Sequence, residues 1–467
     1  MRKFLLLLFS LLTLKASAQD NVIIEIPESY ELSNIILALT KYGRTDPWDV
    51  QKVSPYYNEV LKHFEPVKDH PLLDSVNYSR PEWEKFLGFR TDAYAFSFDA
   101  DNKLKRDYPF NSFGPVEFDK NLELINDFVE KSNYRAFYAK HSGFYDSIVS
   151  NYKEYYFFDK TKAFLDNRIG KQGDTDRGKT YRVAVSPLVG GQNCHRDIDS
   201  LTSVDFPNIS KDLILGKINN NGIRTRIVEN HTIFTEMDHG YINPISDKYK
   251  KQIQQYFDTR YWDNKSGYTD INVFNEYMTW AVYDLFLKES FAAHADSIAL
   301  QWHYQNASSN RGFIASDLFA KKVLELSAKN KGSDFENVYL PLLKWCKKNE
   351  KKIIQPSIDG VKANEFIQLK DNLVTVGFTE KMAPVNNFGA ILLEVKDGKQ
   401  TGKSKTVMIS KQQNNLHWQQ GGKKLNFKVD TDFQEFILLF NWWGIKQPLL
   451  SRNEVLLKPQ SYLLLKK

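Results

Sequence analysis

Val228-Glu229-Asn230-His231-Thr232-Ile233-Phe234-Thr235-Glu236-Met237-Asp238-His239-Gly240-Tyr241-Ile242-Asn243-Pro244 stands apart from the rest of the 467-residue chain. On a helix, a His-Glu-x-x-His pattern puts two imidazoles four residues apart, about one turn. Both can then reach one zinc ion while the glutamate serves as general base. Here Glu236 and His239 occupy the second and fifth positions, and Thr235 stands where the first histidine would be. A threonine hydroxyl is a poor zinc ligand beside imidazole, and catalytic zinc usually has three protein ligands and a water. A bare Glu-x-x-His arises by chance in about half of chains this long at ordinary residue usage. A second stretch has to carry the reading.

That stretch is Asp270-Ile271-Asn272-Val273-Phe274-Asn275-Glu276-Tyr277-Met278-Thr279-Trp280-Ala281-Val282-Tyr283. Asp270 is a natural helix cap. The helix after it is mostly apolar, which implies burial on nearly every side. Glu276 lies within it, thirty-seven residues beyond His239. A carboxylate in such surroundings is costly unless a cation or hydrogen-bond donors meet it. In the gluzincin subset of zinc peptidases, a glutamate from a following helix is the third metal ligand.

Taken with Thr180–Val189, the 228–244 and 270–287 segments resemble a family of uncharacterised secreted bacterial proteins, a domain of unknown function with a gluzincin-like core. Its members carry His-Glu-x-x-His followed by an aromatic, an aliphatic and Asn-Pro. The local match runs from Thr235 through Tyr241-Ile242-Asn243-Pro244. The helices around Glu31–Thr40 and Tyr56–Phe64 add to the resemblance, which spans residues 25–355. It implies that Glu236 is the general base and that His239 and Glu276 are zinc ligands. The departure at Thr235 implies a degenerate site, with peptide-bond hydrolysis weak or lost.

Two other histidines are candidates to replace the missing ligand. His231 precedes His239 by eight residues, about 12 Å along a continuous helix, too far to share an ion. His195, in Asn193-Cys194-His195-Arg196, would have to approach from a loop. Two functional readings follow. One is an exported zinc-metallopeptidase-like protein acting on a peptide or protein. The other is a non-catalytic pseudoenzyme that keeps the old cleft for peptide or glycan binding. They part on metal: the first expects about one zinc per chain, the second none.

Composition narrows the class. Hydrophobic residues make up 42% and aromatics 14% of the chain, too much apolar surface for a disordered segment. A mean hydropathy of -0.48, with one short apolar run, excludes a polytopic membrane protein. Met1 to Ala18 reads as a secretory signal peptide. Arg2-Lys3 form its basic start, Phe4 to Leu14 its apolar stretch, and Ala16-Ser17-Ala18 its cleavage site. Export to the periplasm or beyond is expected, with no transmembrane segment once the leader is removed. Taking Arg2, Lys3 and Lys15 from the formal +6 leaves +3, so nothing argues for nucleic acid. Cys194 and Cys346 are the two cysteines; scarce cysteine fits an exported protein held by its core, and a single bridge between them stays open.

The predicted architecture is α+β: a mostly helical, zincin-like domain with a small sheet over 19–360, then an all-β, sandwich-like domain over 361–467. Helices are expected at 31–42, 50–64, 121–132 and within 134–170. Thr180–Val189 is expected as a strand ending at a sheet edge near Pro187, and 213–218 as a short strand. Helical patterns run from 226 to 352, broken at Asn243-Pro244. Beyond 360, β-rich runs recur at 374–378, 390–395, 405–409, 425–429, 436–440 and 462–465. Asp397-Gly398 and Gly421-Gly422 are their turns. Residues 361–467 carry a net +7, from 16 Lys/Arg and 9 Asp/Glu. Trp442-Trp443 admit sugar stacking, although one core and one surface position is the plainer reading.

Overall fold

The computed structural model describes residues 22–109, 116–171, 173–269, 271–298, 304–331, 333–360, 365–442 and 447–467. The expected leader, the Asp270 cap and Trp443 lie outside them. The chain is α+β, with small sheets and a strand-rich C-terminal region. It divides into two compact units, one running to Val149 and including Gly178–Ile209, the other made of Ser150–Arg177 and Ser210–Lys467.

The first unit is built on a sheet of order β1-β4-β6-β5. Strand β1 (Val22–Glu25) runs parallel to β4 (Thr180–Ala184), which runs parallel to β6 (Thr202–Phe206). Antiparallel β5 (Cys194–Asp197) lies on the far edge, and β2 (Phe96–Phe98) pairs separately with β3 (Leu104–Arg106). β4 is therefore an interior strand, contrary to the edge expected from Pro187. It ends at Ala184, so the proline takes no donor from the ladder.

Helix α1 (Glu28–Leu39) follows Pro27 directly, earlier than the apolar spacing predicts. It stops at Thr40, whose hydroxyl accepts the Gly43 N–H and caps a new turn. Helix α2 (Pro55–His63) is shorter than the expected 50–64, because Pro55 is favoured at a first helical turn. Helix α3 (Leu122–Ser132) ends on left-handed Asn133. Within α1, Glu31 is fully buried and accepts the Tyr56 hydroxyl at 2.7 Å. Burial pushes its carboxyl up to about 7.

In the second unit, α4 (Phe158–Arg168) packs on α5 (Ile223–Lys248). The expected strand at 213–218 is replaced by a helical turn, Lys211–Ile214, started by the Ser210 hydroxyl accepting the Asp212 N–H. The break expected at Asn243-Pro244 does not occur either. Proline cannot donate to the carbonyl four residues back, that of Gly240, and its ring crowds that oxygen. The Gly240 carbonyl instead accepts the backbone N–H of Asp176 at 3.1 Å. Gly240 itself makes this approach feasible, since a Cβ there would lie 2.1 Å from the Asp176 carboxylate. Farther round, Tyr241 donates to Asp166 at 2.6 Å, and the buried Lys162 ammonium holds that carboxylate at 2.7 Å.

Helix α6 (Ile271–Ser290) is buried from Val273 to Leu287 and packs against α5. A loop after α7 (Tyr304–Asn310) leads into α8 (Ser316–Lys329) and α9 (Tyr339–Asn349). Cys346 of α9 is a buried free thiol, pushed well up by that burial.

Strands begin at β7 (Ile358–Asp359). One sheet has the order β11-β10-β14-β15-β8, from β8 (Phe366–Gln368), β10 (Asn387–Lys396), β11 (Lys399–Ser410), β14 (Glu435–Phe440) and β15 (Tyr462–Lys466). The second has the order β12-β13-β9-β7, adding β9 (Leu373–Phe378), β12 (His417–Gln419) and β13 (Lys424–Lys428). Asp397 and Gly398 join β10 to β11 with both φ angles positive, at 51° and 72°, as a tight two-residue hairpin needs. Phe388, Leu392, Phe436 and Leu438 of the first sheet share one apolar cluster with Val376, Leu425 and Phe427 of the second.

Candidate functional site

Helix α5 runs unbroken through Thr235, Glu236 and His239, so positions four apart lie one above the other on a single face. From the facing helix α6, Glu276 projects to meet them. His239 Nε2 lies 3.6 Å from Glu276 Oε1, with the imidazole about one-fifth exposed and the carboxylate one-tenth exposed. Two donors at about 2.0–2.1 Å from one tetrahedral ion stand roughly 3.4 Å apart, so this pair has the spacing of two ligands. Glu236 is half-buried on the same turn as His239.

Thr235 does not join them. It is almost wholly buried, and its hydroxyl donates to the Thr232 carbonyl of its own helix at 3.0 Å. His231 packs edge-on against Trp280 and Tyr283, with ring centroids 4.4 and 4.8 Å away. His195 belongs to the other unit, on β5, where its Nδ1 lies 2.7 Å from Asp205.

A residue outside the motif completes the cluster. Arg311 places Nη2 3.3 Å from Glu276 Oε2 and also donates to the Tyr268 hydroxyl. Its guanidinium lies over the Tyr268 ring, 5.3 Å from the centroid. Burial lowers the pKa of a guanidinium, but Glu276, Tyr268 and Glu236 together hold Arg311 above its ordinary value. Burial and the Glu276 charge in turn push the Tyr268 phenol well up. The Glu236 carboxylate therefore acts on the same cation as Glu276.

The loop carrying Arg311 is fixed by its neighbours. Gly312 has φ of +79°, and a Cβ there would meet the Asn264 carbonyl at 2.5 Å. The Asn264 N–H donates to the Gly312 carbonyl at 2.9 Å. Phe313 is fully buried against Tyr277, and Tyr277 Oη accepts the Ala315 N–H while donating to the Trp262 carbonyl at 2.6 Å. Arg311 is thus delivered to Glu276 by a backbone held on both sides.

Two further features bear on metal chemistry. His239 Nδ1 is buried and has no hydrogen-bond partner among the described residues, whereas a metal-ligating histidine normally donates its other ring N–H to an acceptor. Asp238, next to it on the buried side of α5, is pushed well above the usual carboxylate range by burial, with the Thr279 hydroxyl acting against the shift. Neither Arg311 nor Tyr268 is marked by the motif. An Arg-Gly pair after a polar Ser-Ser-Asn run is an ordinary loop signal, and nothing in residue order brings it to Glu276.

No known protein family and no curated protein sequence matches the chain. Among solved structures, it is similar to the S-layer protein rSbsC(31-844), at 9% identity over 54% of this chain and 39% of that one, with a TM-score of 0.17. It is also similar to the N-terminal part of the bacterial S-layer protein SbsC, at 10% identity over 52% of this chain and 57% of that one, with a TM-score of 0.16. The chain therefore spans well under two thirds of either, and likeness at this level carries no inference about fold or role. Among the described residues, no helix is long and apolar enough to cross a membrane.

Proposed function

We propose that this chain is an exported, non-hydrolytic binding protein on a peptidase-type scaffold, its zinc-site remnant held together by an arginine. The observation that carries the reading is Glu276, whose two carboxylate oxygens face His239 at 3.6 Å and Arg311 at 3.3 Å. The first contact supports descent from a two-helix metal site. The second supports loss of the metal, because the guanidinium supplies the positive charge a buried carboxylate needs.

The residues present do not fit a zinc ion. Thr235 turns its hydroxyl into its own helix. His239 Nδ1 lacks the acceptor that would orient the ring. A guanidinium beside Glu276 and under the influence of Glu236 opposes a divalent cation by like-charge repulsion. Glu236 accordingly has no metal-bound water to deprotonate, and its carboxylate contributes to holding Arg311. The ligand on this reading is a peptide or glycan. The leader expected over Met1 to Ala18 supports secretion or periplasmic residence, and the two strand-rich sheets sharing one core support a C-terminal β-sandwich.

The test is elemental analysis of the full chain after equilibration with zinc chloride and desalting, alongside a peptide-hydrolysis assay. Well under one zinc per chain is expected, with no hydrolysis that Glu236→Gln removes. One tightly held zinc per chain, with hydrolysis abolished by Glu236→Gln, would overturn the proposal.

A further inference from the structure

Antiparallel strands with one face in water alternate apolar and polar residues. β10, β14 and β15 do not: Ala390 to Leu393, Phe436 to Phe440 and Tyr462 to Leu465 are continuous apolar runs. Ala390, Leu392, Phe436, Leu438 and Leu463 enter the core cluster. The alternate residues Ile391, Leu393, Ile437, Leu439 and Leu464 face the other side, where they floor a groove of about 920 Å³. A register shift between Leu393 and Val395 in the β10–β11 pairing bends the strands there, as a bulge does.

The chemistry of this groove is one-sided. Its polar lining is Gln400, Ser404, Thr406 and Gln460 with the Tyr462 phenol and the Trp442 indole, all hydrogen-bonding and none charged, in a region with 16 Lys/Arg and 9 Asp/Glu. Glu435 and Lys466, the charged residues of the same face of β14 and β15, neutralise each other at 2.8 Å. The volume lies within the range of small-molecule sites, about 300–1,000 Å³. Five aliphatic side chains, with Phe366, Trp442 and Tyr462 also lining the groove, and an uncharged polar rim complement one aliphatic chain ending in an uncharged hydroxylated head.

We infer that the groove between Ile391, Leu393, Ile437, Leu439 and Leu464 binds a single-chain neutral lipid, its acyl chain on the sheet and its hydroxyls at Gln400, Ser404 and Gln460. The site is separate from the α5–α6 cluster and does not depend on the reading of that cluster.

The experiment is calorimetric titration of the full chain with monolauroylglycerol below its micelle concentration. One saturable site per chain is expected, with a negative heat-capacity change from apolar burial. Ile437→Lys, which puts a charge on the floor, should weaken binding about tenfold or more. Ser404→Trp, at an exposed position, should block the groove from the rim without touching the core. Circular dichroism and thermal melting confirm that each variant is folded. Absence of saturable binding, or binding that Ser404→Trp leaves unchanged in a folded variant, overturns the proposal. So does tighter binding of a neutral oligosaccharide such as cellotetraose, or self-association that the same substitutions abolish, which would make the occupant a glycan or a second copy of the chain.

Discussion

Glu31 and Glu276 are both carboxylates sunk into mostly apolar helices, one in each compact unit, and they are answered differently. Glu31 has a tyrosine hydroxyl and, among the described residues, no ion pair, so burial raises its carboxyl to about 7 and below that pH the proton itself neutralises the charge. Glu276 has an imidazole on one oxygen and a guanidinium on the other, so its charge is met by side chains. A glutamate within an apolar helical pattern therefore announces that something must answer it. The pattern does not say whether that answer is a proton, a cation or a metal.

The largest expected effect sharpens the Glu31 side. Between the ordinary glutamate value of 4.5 and about 7, the unfolded chain has released this proton and the folded chain has kept it. Stability should fall as pH rises through that window and be level in this respect below and above it. A shift of this size corresponds to about 3 kcal/mol. Urea denaturation followed from pH 4.5 to 7.5 should lose that slope in Glu31→Gln; an unchanged slope would mean that Glu31 is ionised in the fold.

Next, Arg311→Leu leaves Glu276 without its cation. Breaking a buried pair costs about 3–5 kcal/mol, and the two-fifths exposure of Arg311 brings the expectation down to about 2. Adding Glu276→Gln should recover most of that loss. Independent, additive losses in the double-mutant cycle would show that the two side chains do not interact.

The third prediction concerns metal. Thr235→His alone is expected to leave zinc content well under one per chain, because Arg311 still opposes the ion. Thr235→His with Arg311→Leu should take up about one zinc per chain by elemental analysis. Full occupancy in the single variant would show that Thr235, and not Arg311, excludes the metal. Smallest of all, Tyr268→Phe removes one hydrogen bond to Arg311 and should cost about 1 kcal/mol, read as a shift in the thermal midpoint.

How far such features could be read from residue order depends on their range. The strand runs after residue 360 stand close to where the alternation and turns put them, because a two-residue Asp-Gly hairpin and its flanking strands are local. The apolar surroundings of Glu276 are equally local, and its burial was legible for that reason. Arg311 was not, since it reaches Glu276 across thirty-five residues through a loop fixed by Gly312, Asn264 and Tyr277. The errors at 213–218 and at Pro187 have local causes instead: the Ser210 hydroxyl caps a helical turn, and the strand ends at Ala184, before the proline. At Pro244 the compensating group, the Asp176 amide, lies sixty-eight residues away in the chain.

That last arrangement makes a helix defect into a point of attachment. A helix with every carbonyl engaged internally presents no main-chain acceptor along its length. By withholding one donor, Pro244 leaves α5 with a vacant acceptor midway along its C-terminal half, and Gly240 clears the space for another stretch of backbone to use it. The two residues are therefore constrained as a couple. Alanine at 244 would let the helix reclaim its own oxygen and release the 176 segment, whereas a side chain at 240 would bar that segment while the oxygen stayed unclaimed.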